Sequence, residues 1–360
     1  MIRIAVVSLT GKPLSPTTPH KARKLLKTGG AFPKRNPLGV FYLQLTTPTR
    51  EEIPHDTVVG IDPGKLYSGV GVQTPQATLW MGHLVLPFPL VKQAMKTRCA
   101  LRRFRRYRKT PQRPKRFLHR TGHKIPPSIK ANRELEWRVL QELRKIYPIT
   151  QVVYEVVKAR GTKSFSPVMV GQQWQMDRLA SLLPLEARRG WETAQLRFAL
   201  GLEKTTKKSE PSPASHAVDG VALAAGHFLH YVPFYDNNGD HGQRWEGTCA
   251  VTEAPFAIIQ RPQWFRRTLH VQKAAKGGIR KRHGGTLTPY GVRKGDWVEA
   301  VQAGRTVRGY VSGYTRTPKS QAISVADAHW HRLGQFVVSQ VRLLSRSTRL
   351  LVRPFFSAHC

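Results

Sequence analysis

The chain has 360 residues, 40% of them hydrophobic, and 59 Lys and Arg against 21 Asp and Glu give it a formal net charge of +38. Such a surplus repels itself unless a polyanion neutralises it; each phosphate contacted releases condensed counterions, so nucleic acid is the natural partner. Cys99, Cys249 and Cys360 stand far apart with no C-x-x-C pair, which excludes a disulfide framework and a cysteine zinc knuckle, and no apolar stretch suits a signal peptide or a membrane span. The expected location is cytoplasmic, with no membrane partner.

In chain order, residues 1–50 read as a small basic module. Gly11-Lys12-Pro13-Leu14-Ser15-Pro16 precedes a helix over His20–Lys27, and Gly29-Gly30 stops it. Thr46–Asp56, with Pro48 and Pro54, reads as a linker. Val58–Ile61 is a predicted buried strand ending at Asp62, and Ser68–Gln73 alternates as its hairpin partner. Between Lys96 and Arg120, 25 residues carry 12 Lys or Arg and no acid. Arg98, Arg102, Arg105 and Arg108 or Lys109 recur at helical spacing, Arg103 and Arg106 widen the stripe, and Phe104 and Tyr107 offer an apolar anchor. Arg113, Lys115 and Arg116 continue the run.

Further on, Leu135, Val139, Leu143 and Ile146 mark a helix, and Val152–Val157 is a β-branched run typical of a central strand, interrupted by Glu155. Lys204–Ser209 is a basic connection. A last helix begins near Ser212, with Pro213 at its first position and Val218, Val221, Ala222, Ala225 and Leu229 on one face. The final hundred residues alternate over Trp297–Val301, Thr306–Val311, Phe336–Leu344 and Arg349–Val352, which predicts a small β-rich domain with Tyr290, Trp297, Tyr310 and Tyr314 mostly in its core. Lys276, Arg280, Lys281 and Arg282 lie in a glycine-rich segment whose backbone can approach phosphates closely.

Three acids occupy places an apolar scaffold ordinarily forbids: Asp62 at a strand end, Glu155 within a Val and Tyr run, and Asp219 on the last helix, three residues after His216. A buried unpaired carboxylate costs several kcal/mol, and coordination of a hard divalent cation compensates for it. Strand Asp, central-strand Glu and helix Asp resemble the arrangement of an RNase H-like nuclease, in which two metals about 4 Å apart flank the scissile phosphate and activate water. In that scheme Asp62 bridges both metals, Glu155 and Asp219 hold one each, and His216 is a ligand or a proton carrier. Magnesium is the expected cofactor, as two ions, with manganese able to substitute.

The order of parts resembles one family over nearly the whole chain. Pro13-Leu14-Ser15-Pro16 with Lys21-Ala22-Arg23-Lys24-Leu25-Leu26 is similar to the PLMP module of transposon-encoded IscB-type proteins. Gly60-Ile61-Asp62-Pro63-Gly64, Tyr154-Glu155 and Ser215-His216-Ala217-Val218-Asp219-Gly220 resemble their three RuvC motifs, and the arginine run sits where their bridge helix sits. Lys294-Gly295-Asp296 is similar to the region that contacts the target-adjacent motif. Two departures stand out: Ser15 replaces a methionine, and residues 156–215 contain no His, whereas IscB carries a histidine-dependent HNH nuclease between its second and third motifs. The resemblance is therefore to IsrB, the shorter relative with RuvC alone.

That resemblance implies an α/β RNase H-like (RuvC) core split by an arginine-rich bridge helix, flanked by a small N-terminal module and a small β-rich C-terminal domain. The implied boundaries are 1–50 for the module, 57–95 for the first RuvC part, 96–120 for the bridge helix, 128–231 for the remaining RuvC parts, and 255–360 for the C-terminal domain. It also implies a prokaryotic endonuclease, one protein per long structured omega guide RNA, that opens target double-stranded DNA beside a short target-adjacent motif and nicks the non-target strand. In such systems base pairing reads sequence while protein reads duplex geometry and the flanking motif. Two rivals remain at this stage, a guide-independent RuvC-like structure-specific DNA nuclease and a noncatalytic RNA-binding protein.

Overall fold

A computed structural model describes residues 2–48, 55–108, 125–158, 166–207, 210–235, 241–262 and 287–355. The chain divides into two compact units, residues 1–260 with 352–360, and residues 261–351. Among the described residues no helix is long and apolar enough to cross a membrane.

The first unit opens with strands β1 (Ile4–Val7) and β2 (Pro13–Thr17), helix α1 (Pro19–Lys27), and strands β3 (Ala31–Arg35) and β4 (Phe41–Leu45), with sheet order β2-β1-β4-β3. Thr18 caps α1 by accepting from the Lys21 amide at 3.4 Å, Pro19 occupies the first position, and Gly29 ends the turn at φ +71°. Ala22 packs with Val6, Ala31, Leu43 and Leu45.

Next come β5 (Val58–Asp62), β6 (Tyr67–Thr74), β7 (Ala77–Val85), α2 (Phe88–Tyr107), α3 (Pro127–Arg144), β8 (Gln151–Val156), α4 (Pro167–Ala180), β9 (Leu185–Arg189), α5 (Gly190–Ala199) and α6 (Val218–Gly226). The hairpin β10 (Leu229–Tyr235) and β11 (His241–Gly247) follows, then β12 (Phe256–Gln260). Strands β5 to β9 are ordered β7-β6-β5-β8-β9. Strand β6 runs antiparallel to β5 and β7, while β5, β8 and β9 are mutually parallel. The β-branched runs of β5 and β8 are buried because helices cover them; Val58, Val59, Ile61, Val152, Val153 and Tyr154 are inaccessible. Helix α3 turns Leu135, Val139, Leu140 and Leu143 inward.

The second unit is a five-stranded antiparallel sheet of β13 (Trp297–Gln302), β14 (Arg305–Thr317), β15 (Ser320–Ala326), β16 (Arg332–Val337) and β17 (Val341–Ser345), ordered β16-β15-β14-β13-β17. Its core holds Val298, Ala300, Val311, Ile323, Val325 and Phe336. Tyr290, Trp297, Tyr310 and Tyr314 are half-buried.

Three sequence readings need correction. Phe336–Leu344 is two strands, because a short 3-10 turn at Val338–Gln340 carries the chain from one edge of the sheet to the other. The strand expected at Arg349–Val352 is β18 (Leu351–Phe355), which borders β12 in the seven-stranded sheet of the first unit. Phe104 and Tyr107 do not anchor α2; they are 63% and 88% exposed, since a helix with cations on most sides has no face to bury without counterions. Asp296 is inaccessible, its carboxylate accepting from Arg346 at 2.8 Å and from the amides of Arg293 and Ser347, so it organises its own turn.

Candidate metal centre

The parallel pairing of β5 with β8 sets Ile61 beside Tyr154, so Asp62 and Glu155 follow at the same strand end and on the same face. Gly60 and Gly71 are paired on that face, and Gly69 is paired with Asp62 itself. The absence of side chains there lets the chain leading into α6 settle on sheet backbone. A Cβ on Gly71 would lie 2.5 Å from the Val221 amide nitrogen, one on Gly60 would collide with the Gly220 carbonyl, and one on Gly69 with the His216 carbonyl. This contact brings His216 and Asp219 over Asp62.

His216 sits on the turn Pro213–Ala217 that leads directly into α6; the chain is broken just before it, at Ser215 (φ −86°, ψ −131°), while Ala217 and Val218 between His216 and Asp219 are helical. Ser215 holds the break: its hydroxyl donates to the Ser212 carbonyl at 2.6 Å and contacts buried His83 Nδ1 at 2.9 Å. The His216 ring stacks on Tyr67 at 5.5 Å between centroids.

One oxygen or nitrogen each from Asp62, His216 and Asp219 can be chosen so that all lie within 4.8 Å of one another. His216 Nδ1 is 3.5 Å from Asp62 Oδ2, yet both ring nitrogens are buried without a hydrogen bond. Oriented but unsatisfied imidazole nitrogens beside two carboxylates suit a divalent cation. Glu155 stands outside the tight cluster. Its Oε2 accepts from Thr193 Oγ1 at 2.5 Å, and burial, then the charge of Asp62, pushes its carboxyl up to about 7. Asp219 is also raised by burial and by Asp62, although Lys204 and Arg197 pull the other way. Lys204 bonds its Oδ2, while Arg197 Nε lies 2.9 Å from Oδ1 without hydrogen-bond alignment.

A buried ion pair lies below. Arg133 Nη1 donates to Glu136 Oε1 at 2.6 Å, both side chains nearly inaccessible, and both feel the Asp62 charge. Sequence reasoning missed Arg133, Glu136, His83, Thr193 and Arg197, and took Lys204 for connection. Arg133 and Glu136 carried one available signal, adjoining the apolar face of α3 three residues apart. The others are assembled only by the fold.

The predicted phosphate-binding residues divide. Arg98, Arg102, Arg103, Arg106 and Arg108 are exposed on or at the end of α2, and Arg105 lies within it. Lys65, Lys92, Lys96, Arg98 and Arg102 line a groove of about 780 Å³ between α2 and the start of α3. Lys109, Arg113, Lys115, Arg116, Lys276, Arg280, Lys281 and Arg282 lie outside the described residues.

A family model described as "RRXRR protein" matches residues 4–176, a span that includes Arg102-Arg103-Phe104-Arg105-Arg106, Asp62 and Glu155 and ends before His216. Among solved structures the chain is similar to Thermus thermophilus RuvC, alone and in complex with a Holliday junction substrate. Identity is 18% in both, covering 47% of this chain and 90% of that one, with TM-scores of 0.23 and 0.25. No curated protein matches.

Proposed function

We propose that the chain is a metal-dependent DNA endonuclease of RuvC type, and that like IsrB it is an RNA-guided nickase. One observation carries the reading: Asp62, Glu155, His216 and Asp219, drawn from β5, β8 and the turn into α6, gather at one end of the sheet. The strand order β7-β6-β5-β8-β9 with β6 reversed supports an RNase H-like core.

Asp62, His216 and Asp219 would hold magnesium or manganese, with Glu155 completing a second position. The bound cation would supply Lewis-acid stabilisation of phosphoryl oxygens and a more acidic water. The rest is the work of the chain. Thr193 fixes the Glu155 carboxylate, and Arg197 and Lys204 fix Asp219. His216, free at both ring nitrogens and stacked on Tyr67, can ligate through one nitrogen or take a proton from the attacking water. The exposed arginines of α2 supply a phosphate-binding stripe for an omega guide RNA and its DNA heteroduplex. Among the described residues there is one such cluster, and one cluster serves one strand, so the product is a nick.

The test purifies the chain with the RNA it retains, sequences that RNA, and presents supercoiled DNA bearing the complementary target with magnesium. The expected product is an open circle, lost on Asp62→Ala or Glu155→Ala while DNA binding persists. Equal cleavage of branched DNA without RNA would replace guidance by junction recognition. Nicking unchanged in both variants would remove the carboxylates from the mechanism.

A further inference from the structure

Helix α5 has two working faces. Along one, Gly190 approaches Glu155, Thr193 bonds it, and Arg197 reaches Asp219. The next face is turned to solvent: Trp191 is 49% exposed, Phe198 is 90% exposed, and Ala194 and Gln195 between them are exposed as well. Residues seven apart on a helix share a face, so a tryptophan and a phenylalanine stand about 10 Å apart along one line beside the carboxylates.

The Trp191 ring is buttressed. It meets Tyr231 of β10 at 6.3 Å between centroids, Tyr231 packs on Trp245 of β11 at 5.0 Å, and Trp245 lies under the Arg188 guanidinium at 5.0 Å. The 61° angle between the two planes is that of an edge-to-face contact, and it leaves about half of the Trp191 residue in solvent. A ring held by an aromatic neighbour while half of it remains in water is preorganised for a flat π partner, whereas an apolar side chain meant for the core would be covered. Exposed Arg189 stands immediately before the helix, and the chain carries a net charge of +38.

We infer that Trp191 and Phe198 form a base-stacking platform for single-stranded DNA, which delivers the strand to be cut to the carboxylate end of the sheet. Bases of a single strand are free to stack on aromatic faces, while those of a duplex are covered by their neighbours. The two turns of helix between the rings match the rise of about three stacked nucleotides. The inference deepens the nuclease reading and rests on it for the strand's fate. Binding itself is measurable without cleavage.

The experiment follows fluorescence anisotropy of a labelled 20-residue oligothymidylate, and of a duplex of that length, in EDTA across a salt series. Wild-type chain is compared with Trp191→Ala/Phe198→Ala and with Trp191→Phe, each checked for an unchanged melting temperature. The double alanine variant is expected to bind the single strand at least tenfold more weakly, with the salt slope and duplex affinity unchanged, and Trp191→Phe to restore most of the loss. A lost phosphate contact would alter the salt slope instead. Equal single-strand affinity of wild type and double variant overturns the inference and leaves the face to a protein partner. Parallel loss on single strand and duplex overturns it too. If the stacking signature appears but magnesium yields no nick under any loading, the platform stands and the nuclease reading falls.

Discussion

Replacing Gly71 by alanine tests whether a glycine contact builds the metal centre. The added Cβ would sit 2.5 Å from Val221 N, 2.6 Å from its Cα and 2.7 Å from the Gly220 carbonyl carbon. All three are backbone atoms, so no side chain can swing aside. Restoring ordinary carbon contact requires α6 to retreat from β6 by about 1 Å, and overpacking of this kind costs about 1–3 kcal/mol. Asp219 adjoins the displaced Gly220, while Asp62 stays on β5. A displacement of about 1 Å in a catalytic constellation costs on the order of 100-fold in rate.

Two readouts separate position from stability. Manganese binding, followed by loss of the aqueous ion's EPR signal, is expected to weaken at least tenfold in Gly71→Ala at a temperature where thermal melting shows it folded. Nicking is expected to fall about 100-fold. Gly226→Ala is the control, because the three atoms nearest its Cβ all belong to the Leu196 side chain, which can repack. It should lose stability with little loss of manganese affinity. Wild-type manganese affinity in a destabilised Gly71→Ala chain would refute the argument that the helix-to-sheet approach sets the site.

Two buried groups give opposed pH dependences of metal-free stability. Glu155, raised to about 7 from an ordinary 4.5, contributes most fully below the lower value and loses that contribution as pH rises through 7; His83, lowered to about 4 from 6.5 by burial and then by His216, contributes above 6.5 and loses it as pH falls through 4. Each amounts to at most about 3 kcal/mol, and Asp219 and Glu136, which burial also raises, add to the Glu155 side, so wild-type urea midpoints should fall from pH 4 towards 7, Glu155→Gln should flatten that fall, and a His83→Gln chain should steepen it. Manganese affinity should rise with pH up to about 7, as the carboxyl gives up its proton, and a flat profile by calorimetry would contradict the raised Glu155. Lys204→Met removes a cation that competes for Asp219: manganese affinity should increase several-fold while metal-free stability drops by about 1–3 kcal/mol, and a fall in affinity would show that Lys204 assists the metal.

Much of the centre could be read from the chain because its carboxylates violate local pattern. Glu155 within Val152–Val157 and Asp62 after Val58–Ile61 contradict the burial their neighbours demand, and such contradictions mark function. His216 was harder. Its spacing from Asp219 suggested one helical turn, and Ala217 and Val218 between them are helical; what the spacing could not show is the Ser215 break just before His216. Arg197, Thr193 and Lys204 carried no signal, because each is an ordinary surface type until β8 and α6 converge on it. Strands β7, β9 and β12 also escaped notice: β7 mixes Thr78, Gly82 and His83 into its apolar run, β9 ends in two arginines, and β12 finds its partner β7 far back in the chain. Such pairing is fixed by topology, and periodicity in a window does not contain it.

The distribution of cations explains why four titratable groups can be gathered here at all. Asp219 is compensated by Lys204 and Arg197, Glu155 by the Thr193 hydroxyl and by partial protonation, and Glu136 by Arg133. Asp62 has none of these. Among the described residues its ion-pair contact is with His216 alone, at 3.5 Å and without a hydrogen bond, while its charge raises both Glu155 and Asp219. The uncompensated charge is thus concentrated on the carboxylate that reaches furthest into the cluster's electrostatics. A divalent cation held there would offset the charge that raises Glu155 and Asp219 as well as that of Asp62 itself, in competition with Lys204 and Arg197 for Asp219. Were the site to take a divalent cation as proposed, Asp62 would be the carboxylate whose charge it relieves most directly, and Lys204 the cation it would have to displace from Asp219.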